Sequence, residues 1–163
     1  MIPRHGSGLV EPFAEAAFAT PRASPEEIRA TWVGHSTFLL QVGSRNVLTD
    51  PIWSRRASPL RRFGPRRFTP PGVPLASLPP IDAVLLSHDH YDHLDEWTVR
   101  QLVERCGDAI TWFAPLGHRS WLRRRGARRI VELDWWEEAS LQGLRVRALP
   151  AQHWSSRSHR DRF

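Results

Sequence analysis

The chain has 163 residues, of which 40% are hydrophobic and 25% charged, a composition typical of one soluble globular domain with a real core. All 23 basic residues are arginine and the net charge is +6, which favours anionic partners such as phosphates, nucleic acid or an acidic membrane surface. Arginines that simply cover a solvated surface are an equally open interpretation, and the absence of lysine suggests a GC-rich, bacterial coding sequence.

Several classes of protein are excluded by the same composition. Cys106 is the single cysteine, so no intramolecular disulfide forms, which fits a cytoplasmic protein. No apolar run approaches the roughly 18 residues of a membrane span, and the first 20 residues lack the apolar core of a secretory signal.

The N-terminal part predicts an irregular lead-in followed by a hairpin. Residues 1–30 are an irregular lead-in with a short helix, for which Ser24 is the N-cap and Pro25 the first helical position. Residues 29–42 are rich in β-formers and predict one strand. A turn at 43–44 then leads to a second strand over 45–49, which ends at Asp50.

Residues 52–80 form a long loop in which arginines alternate with apolar residues. Loops of this length in a compact domain are usually functional or mobile. The pattern suits an anionic headgroup beside an acyl chain, or a nucleic-acid backbone beside bases; a solvated lid without a ligand is the alternative. The arginines that could contact a substrate are Arg55, Arg56, Arg61, Arg62, Arg66 and Arg67.

A dense polar cluster follows the buried strand predicted over 82–86. His88 and His90 are two residues apart, so in an extended segment their rings lie on the same side. Asp92 and His93 follow where the chain turns toward a helix, and can face a second point. Imidazole and carboxylate ligands suit zinc, and two-metal hydrolases hold their ions about 3.5–4 Å apart. The alternative is a loose metal-binding or solvated histidine tract.

The remainder alternates helices and strands. Helices are predicted over 94–106 and 115–125, strands over 110–114 and 130–133, and a hairpin over 139–149. The indole-rich turn at 134–138 lines a pocket or packs in the core. The hairpin delivers His153 at the end of a strand, whereas His118 and His159 are assigned to the surface.

These motifs resemble a known family. The stretch from Ser87 to His93 is similar to the H-x-H-x-D-H signature of the metallo-β-lactamase superfamily. The stretches 31–40, 48–54 and 149–157 resemble the branch of N-acylphosphatidylethanolamine-hydrolysing phospholipase D and its bacterial relatives. The resemblance implies an α/β (α+β) fold, a four-layer αββα sandwich. Residues 31–163 would supply its N-terminal half, incomplete at the C-terminus.

The resemblance also implies roles for individual residues. His88, His90 and His153 would hold one zinc ion, and Asp92 and His93 a second, whose remaining ligands the family supplies from beyond Phe163. Asp92 would orient the nucleophile. Asp50 would accept a hydrogen bond from a ligand histidine. Supporting roles fall to His35, behind the ligands or in packing within a strand, and to Tyr91 beside the substrate loop.

The function implied is a zinc-dependent, phospholipase D-like phosphodiesterase acting on an N-acyl phospholipid or similar anionic ester. A lactone or ester hydrolase and a nuclease share the same motif, with nucleic acid the less favoured partner. A catalytically incomplete fragment that binds metal or anions is the alternative of another class. We expect a cytoplasmic protein that associates peripherally with membranes; the sequence does not define its oligomeric state.

Overall fold

The computed structural model describes residues 21–60 and 62–155. The predictions for residues 1–20, for Arg61 and for His159 lie outside these residues. Pro25 and Glu26 form a turn closed by a hydrogen bond from Glu27 N to Ser24 O at 3.1 Å. The short helix predicted at Ser24 is therefore wrong. The residues from Ile28 onward favour a strand, so β1 begins there and no room is left for a helix after the turn.

Three antiparallel strands open the sheet: β1 (Ile28–Gly34), β2 (Thr37–Val42) and β3 (Arg45–Thr49). The single strand predicted over 29–42 is wrong, because the chain reverses between Gly34 and Thr37. Gly34 has φ 135° and His35 has φ 52°, and the first of these values is readily available only to glycine. β-formers on both sides of the reversal hide it from a propensity argument.

The other strands of the main sheet run parallel to β3. They are β4 (Ala83–Leu85), β5 (Thr111–Pro115) and β6 (Arg129–Leu133), and the order in the sheet is β1-β2-β3-β4-β5-β6. Because β1 and β3 both run antiparallel to β2, the carboxyl ends of β1, β3 and β4 meet at one edge. Ligand sites of open α/β sheets lie at such an edge.

The helices follow the strands that they cover. α1 (Glu96–Cys106) follows the histidine loop, and its N-cap Asp95 accepts from Thr98 N at 3.3 Å. α2 (Arg119–Arg123) is shorter than the predicted 115–125, because Gly117 at φ 88° precedes it and Gly126 at φ 95° follows it. None of the helices among the described residues is long and apolar enough to cross a bilayer.

The sheet has an apolar cluster on each face. One cluster, centred on Leu48, Val84 and Trp112, packs against α1 and α2. The other, centred on Val47 and Phe113, packs against a separate hairpin of β7 (Glu138–Leu141) and β8 (Leu144–Arg147). On the outer strands β1 and β2 this second face continues with exposed large residues, namely Ile28, Trp32 and Phe38.

The long loop after β3 is anchored at its base and projects at its tip. Trp53 is buried, and its Nε1 donates to Val73 O at 2.8 Å. Residues 55–60 and 62–67 fold back on one another through an isolated antiparallel bridge between Arg56 and Arg66. Arg67 N donates to Arg55 O at 2.8 Å. We call residues 55–68 the arginine tongue; its exposed large apolar residues are Leu60, Phe63 and Phe68.

Candidate metal centre

Four segments converge at the edge where β1, β3 and β4 end. The β1–β2 turn brings His35, the end of β3 brings Asp50, and the loop after β4 brings residues 87–93. The segment after β8 brings His153 to the same place, since its Nε2 lies 3.3 Å from His90 Nδ1. The site therefore depends on the order of strands in the sheet, which joins residues far apart in sequence.

The first cluster contains three imidazoles. His88, His90 and His153 each offer a ring nitrogen, and these nitrogens lie within 4.8 Å of one another. The Nε2 atoms of His88 and His90 are buried and have no hydrogen-bond partner among the described residues. Buried nitrogens are normally paired, so a divalent cation fits this donor set.

The second cluster lies directly beside the first. Here His35, Asp92 and His93 bring three ligand atoms within 4.8 Å of one another. His35 Nε2 is 2.9 Å from Asp92 Oδ2, and His93 Nε2 is 3.6 Å from the same oxygen. The rings of His88 and His93 are 4.0 Å apart between centroids, which brings the two clusters together.

The position of His35 differs from the sequence prediction. The sequence places this residue in a strand, either supporting the ligands or packing. Instead it lies in the β1–β2 turn, with its ring facing Asp92 across 57 residues of sequence. Its positive φ results from the reversal at Gly34, for which the Gly-His-Ser sequence was the available signal.

Asp50 is a buried acceptor behind both clusters. Its Oδ2 lies 2.9 Å from His93 Nδ1, and Oδ1 accepts from Ser87 N at 2.8 Å. A carboxylate can only accept here, so the Nδ1 of His93 carries the hydrogen and its Nε2 is left free to bind a metal. This is the kind of contact that the family resemblance implies for Asp50.

Ser87 fixes the tautomer of His88 in the same way, and the sequence analysis did not predict this role. Its hydroxyl donates to Asp50 Oδ2 at 2.6 Å and lies 2.8 Å from His88 Nδ1. Since the hydroxyl hydrogen is directed to Asp50, His88 Nδ1 donates to the hydroxyl oxygen. The Nε2 of His88 therefore presents its lone pair to the first cluster. The serine preceding the histidine motif was the signal.

Burial and charge set the protonation of the clusters. Burial, with repulsion from His93, His90 and His153, lowers the pKa of His88 to about 4, so this ring stays neutral at physiological pH. Burial opposes the charge on His93, yet the hydrogen bond and negative charge of Asp50 raise its pKa. Burial likewise opposes ionisation of Asp92, but backbone hydrogen bonding and the neighbouring histidines lower its pKa.

Asp95 is a further carboxylate near this edge, and its bonds show that it is structural. It is buried, and its Oδ1 accepts from Ser54 Oγ at 2.8 Å. Its Oδ2 accepts from Ser54 N at 3.2 Å and caps α1 through Thr98. Asp95 therefore fastens the long loop to α1.

Two cavities adjoin the clusters. The smaller, of about 310 Å³, is lined by His35 and Asp92 together with Arg66, Arg67 and Phe68 of the tongue. The larger, of about 930 Å³, is lined by His88, His153 and a mainly apolar set of side chains. Each cluster thus opens onto a cavity of different character.

The tongue arginines divide into two groups. Arg66 and Arg67 line the smaller cavity, whereas Arg55, Arg56 and Arg62 are not among its lining residues. Burial lowers the pKa of Arg67, against the attraction of Asp95, and its Nη1 donates to Ile52 O at 2.8 Å. Tyr91 is half-buried within the histidine loop.

Two aromatic predictions are settled in part by the larger cavity. His118, which the sequence assigns to the surface, is half-buried in the wall of this cavity. Trp135 lines the same cavity and remains exposed, while Trp136 is exposed at φ 71°.

Comparison with known proteins identifies the family. The profile of the Beta-lactamase superfamily domain matches residues 45–163. The chain belongs to the metallo-β-lactamase superfamily. Its mixed sheet, with helices on one face and the beginning of a second sheet on the other, confirms the predicted fold class.

Individual relatives of this superfamily member are longer proteins. An uncharacterised protein of Mycobacterium tuberculosis is 44% identical over 162 residues, which cover 96% of this chain and 42% of the relative. N-acyl-phosphatidylethanolamine-hydrolyzing phospholipase D 1 of Caenorhabditis elegans is 37% identical, covering 81% and 39% respectively. The chain thus spans about two fifths of the length of these relatives.

A solved structure widens the range of metals to consider. The diiron beta-hydroxylase CmlA of Streptomyces venezuelae superposes with a TM-score of 0.58 at 31% identity, covering 79% of this chain and 25% of that protein. A protein with a similar fold can therefore hold iron, so the fold alone does not select zinc.

Proposed function

We propose that this protein is a metal-dependent hydrolase that uses two divalent ions, with zinc as the first choice. The observation that carries the proposal is the pair of adjacent three-residue clusters that share the loop 88–93. Three imidazoles match the catalytic zinc sites that leave a fourth position open. When bound, the metals would supply Lewis acidity and activate water near neutral pH.

The residues of the chain have separate tasks in this proposal. His88, His90 and His153 hold one ion, and His35, Asp92 and His93 the other. Asp92 is also the proposed catalytic residue, because its carboxylate borders the smaller cavity and can orient the attacking water. Asp50 and Ser87 keep the rings of His93 and His88 in the orientation and tautomer that a metal requires.

The proposed substrate is an anionic ester with an apolar part, of the N-acyl phospholipid type. The guanidinium of Arg66 beside the second cluster suits a phosphate, and the larger cavity beside the first cluster suits an acyl chain. The name of the Caenorhabditis elegans relative supports the same class. We place the enzyme in a bacterial cytoplasm, in peripheral contact with membranes.

The first experiment combines metal content with a substrate panel. The purified chain is assayed for zinc and iron, then for hydrolysis of bis(p-nitrophenyl) phosphate, p-nitrophenyl butyrate, dihydrocoumarin and a single-stranded oligonucleotide. We expect two metals per chain and chelator-sensitive cleavage of the phosphodiester. A preference for the ester, lactone or oligonucleotide would instead support the esterase, lactonase or nuclease alternative.

Variants tie the activity to the centre. His88→Ala should abolish metal-dependent hydrolysis, because it removes a ligand that is held by Ser87 and buried in the first cluster. Arg100→Ala is the control, since Arg100 is exposed on α1 and, among the described residues, pairs with Glu96. Unchanged activity in His88→Ala would contradict the proposal.

A metal- or anion-binding role without catalysis is the second candidate. The two clusters support it as well, because a set of metal ligands can hold ions without turnover. One bound metal or none, with no cleavage of any substrate in the panel, would support this candidate over the hydrolase.

A further inference from the structure

The third imidazole of the first cluster is carried by a segment without regular structure. His88 and His90 follow β4 directly and lead into α1, and both are half-buried. Residues 148–155 form neither helix nor strand, and His153 within them is exposed. The place of His153 beside the other two rings therefore has to come from contacts outside the sheet.

The backbone of this segment is held to the fold at its beginning. Ala148 N donates to Glu137 O at 3.0 Å, and Trp136 N donates to Ala148 O at 2.8 Å. Further along, His153 N donates to Ala151 O at 3.1 Å, a bond within the segment itself. These backbone bonds fix where the segment starts, but they do not bring His153 to the histidine loop.

A side-chain hydrogen bond makes that connection. Ser155 Oγ donates to Asp89 Oδ2 at 2.5 Å, and the two residues are 66 apart in sequence. Both residues are half-buried. Bonds from a hydroxyl to a carboxylate have about this length and are roughly twice as strong as bonds between neutral groups.

The two bonded residues are neighbours of ligands. Asp89 lies between His88 and His90, and Ser155 is two residues after His153. His153 Nε2 lies 3.3 Å from His90 Nδ1, and the ring centroids of His153 and His88 are 4.4 Å apart. The bond therefore joins the two stretches of chain that must meet to complete the first cluster.

We propose that Asp89 and Ser155 are positioning residues, whose hydrogen bond holds the segment that presents His153 to the first metal. The inference rests on the metal centre of the proposed function and assigns neither residue as a ligand. A ligand that is already in place when the metal arrives loses less conformational freedom on binding. Without the bond His153 could still reach the metal, but the segment would have to be ordered at that moment, which weakens binding.

The test measures zinc affinity rather than turnover. The purified chain is titrated with zinc in competition with a chromophoric chelator, and we expect two binding steps. His153→Ala removes a ligand of the first cluster and so identifies the step that belongs to it. In Ser155→Ala that step should weaken about tenfold, as for other residues that orient metal ligands, while the other step should stay within about twofold.

Double variants show whether the effect acts through this bond. Ser155→Ala should weaken the first step no further in a chain that already carries Asp89→Ala, because the bond is then absent. It should also have no effect in a chain that carries His153→Ala, because no ligand is left on the segment to position.

Two single variants serve as controls. Ser155→Thr keeps the hydroxyl and should retain the wild-type affinity. Ser140→Ala removes a hydroxyl from an exposed position on β7 and should do the same. The inference is overturned if Ser155→Ala binds zinc like the wild type, if both steps weaken equally, or if the losses in Asp89→Ala and Ser155→Ala add.

The design separates this inference from the proposed hydrolase. Two zinc ions bound with the expected losses, but no cleavage of any substrate, would remove the hydrolase and keep the inference. Full phosphodiesterase activity with unchanged zinc affinity in Ser155→Ala would remove the inference alone. A chain that binds no zinc would overturn both.

Discussion

At the scale of single residues, the side chains that hydrogen-bond to the ligand histidines determine how the metal centre is arranged. Asp50 and Ser87 form a short chain of hydrogen bonds that fixes the rings of His93 and His88. Fixed rings lose less conformational freedom when a metal binds, and their lone pairs already point inward. The pKa values of these two histidines shift in opposite directions. Burial acts to lower both, but the Asp50 carboxylate contacts the His93 ring directly and raises its pKa. The neutral Ser87 hydroxyl lies between Asp50 and the His88 ring, whose pKa is lowered.

Acid should destabilise the metal-free chain through His88. Its folded pKa of about 4 lies below the ordinary 6.5. Between these values the unfolded chain binds a proton that the folded chain excludes, so the free energy of unfolding falls as pH falls. Denaturant titrations in EDTA from about pH 7 to 4.5 should show a smaller loss for His88→Gln than for the wild type.

His93 should give a pH dependence of stability of the opposite sign in the same titrations. Its pKa is raised in the folded chain, so its stabilisation is full below the ordinary value and is lost as pH rises through the folded value. In His93→Gln the free energy of unfolding should therefore depend less on pH above about 6.5. The loss of stability below that pH, which we assign to His88, should remain. Equal slopes in all three proteins would contradict the assignment.

At the scale of elements, the sequence predicts what is local and misses what depends on partners. The strand before the histidine loop, α1 and the β7–β8 hairpin lie close to their predicted positions because their patterns are continuous and bounded by glycine or proline. The β1–β2 reversal is missed, since the residues on both sides favour strands. That one error also hides His35, whose contact with Asp92 exists only once three strands are paired.

The chain reversal between β1 and β2 should depend on Gly34. Its φ of 135° is unfavourable for any other residue, and an added Cβ would lie 2.8 Å from Arg67 Nη2. Gly34→Ala should reduce the free energy of unfolding by about 2–3 kcal/mol, because strain adds to the displacement of Arg67 from its bond to Ile52.

Gly43→Ala is the matched control for this substitution. Gly43 lies in the next turn at φ 54°, with open space around an added Cβ, so we expect a loss of about 1 kcal/mol. Denaturant melts of both variants decide the matter. Equal losses would mean that the contact with Arg67 contributes nothing.

At the scale of the whole molecule, the arginine tongue combines positive charge with exposed apolar side chains. Phe63 follows Arg62, Phe68 follows Arg67, and both phenylalanines are exposed. Such a mixture suits the boundary between anionic headgroups and acyl chains. The sequence predicts the composition of this loop, but not the fold-back that brings Arg66 and Arg67, among the tongue arginines that the structure describes, to the smaller cavity.

Vesicle binding should depend on this tongue. We expect the chain to bind vesicles that contain anionic phosphatidylglycerol, and to release them as salt rises, because each exposed arginine near the surface contributes about 1 kcal/mol. The double variant Phe63→Ser, Phe68→Ser should bind several-fold more weakly in sedimentation assays. Trp136→Ser, which removes an exposed indole elsewhere, should bind like the wild type; flat salt dependence would contradict the prediction.

The convergence of segments at the centre has a topological consequence. A cation shared by His35 and Asp92 would close a loop of 57 residues, and one shared by His90 and His153 a loop of 63. Each would act on the unfolded chain as a reversible cross-link, by removing conformations that the open chain can reach. The two elements so fastened are β1, which lies at one edge of the main sheet, and the irregular segment after β8. Chelation would therefore loosen the molecule at its two margins first, and amide exchange there would report metal occupancy.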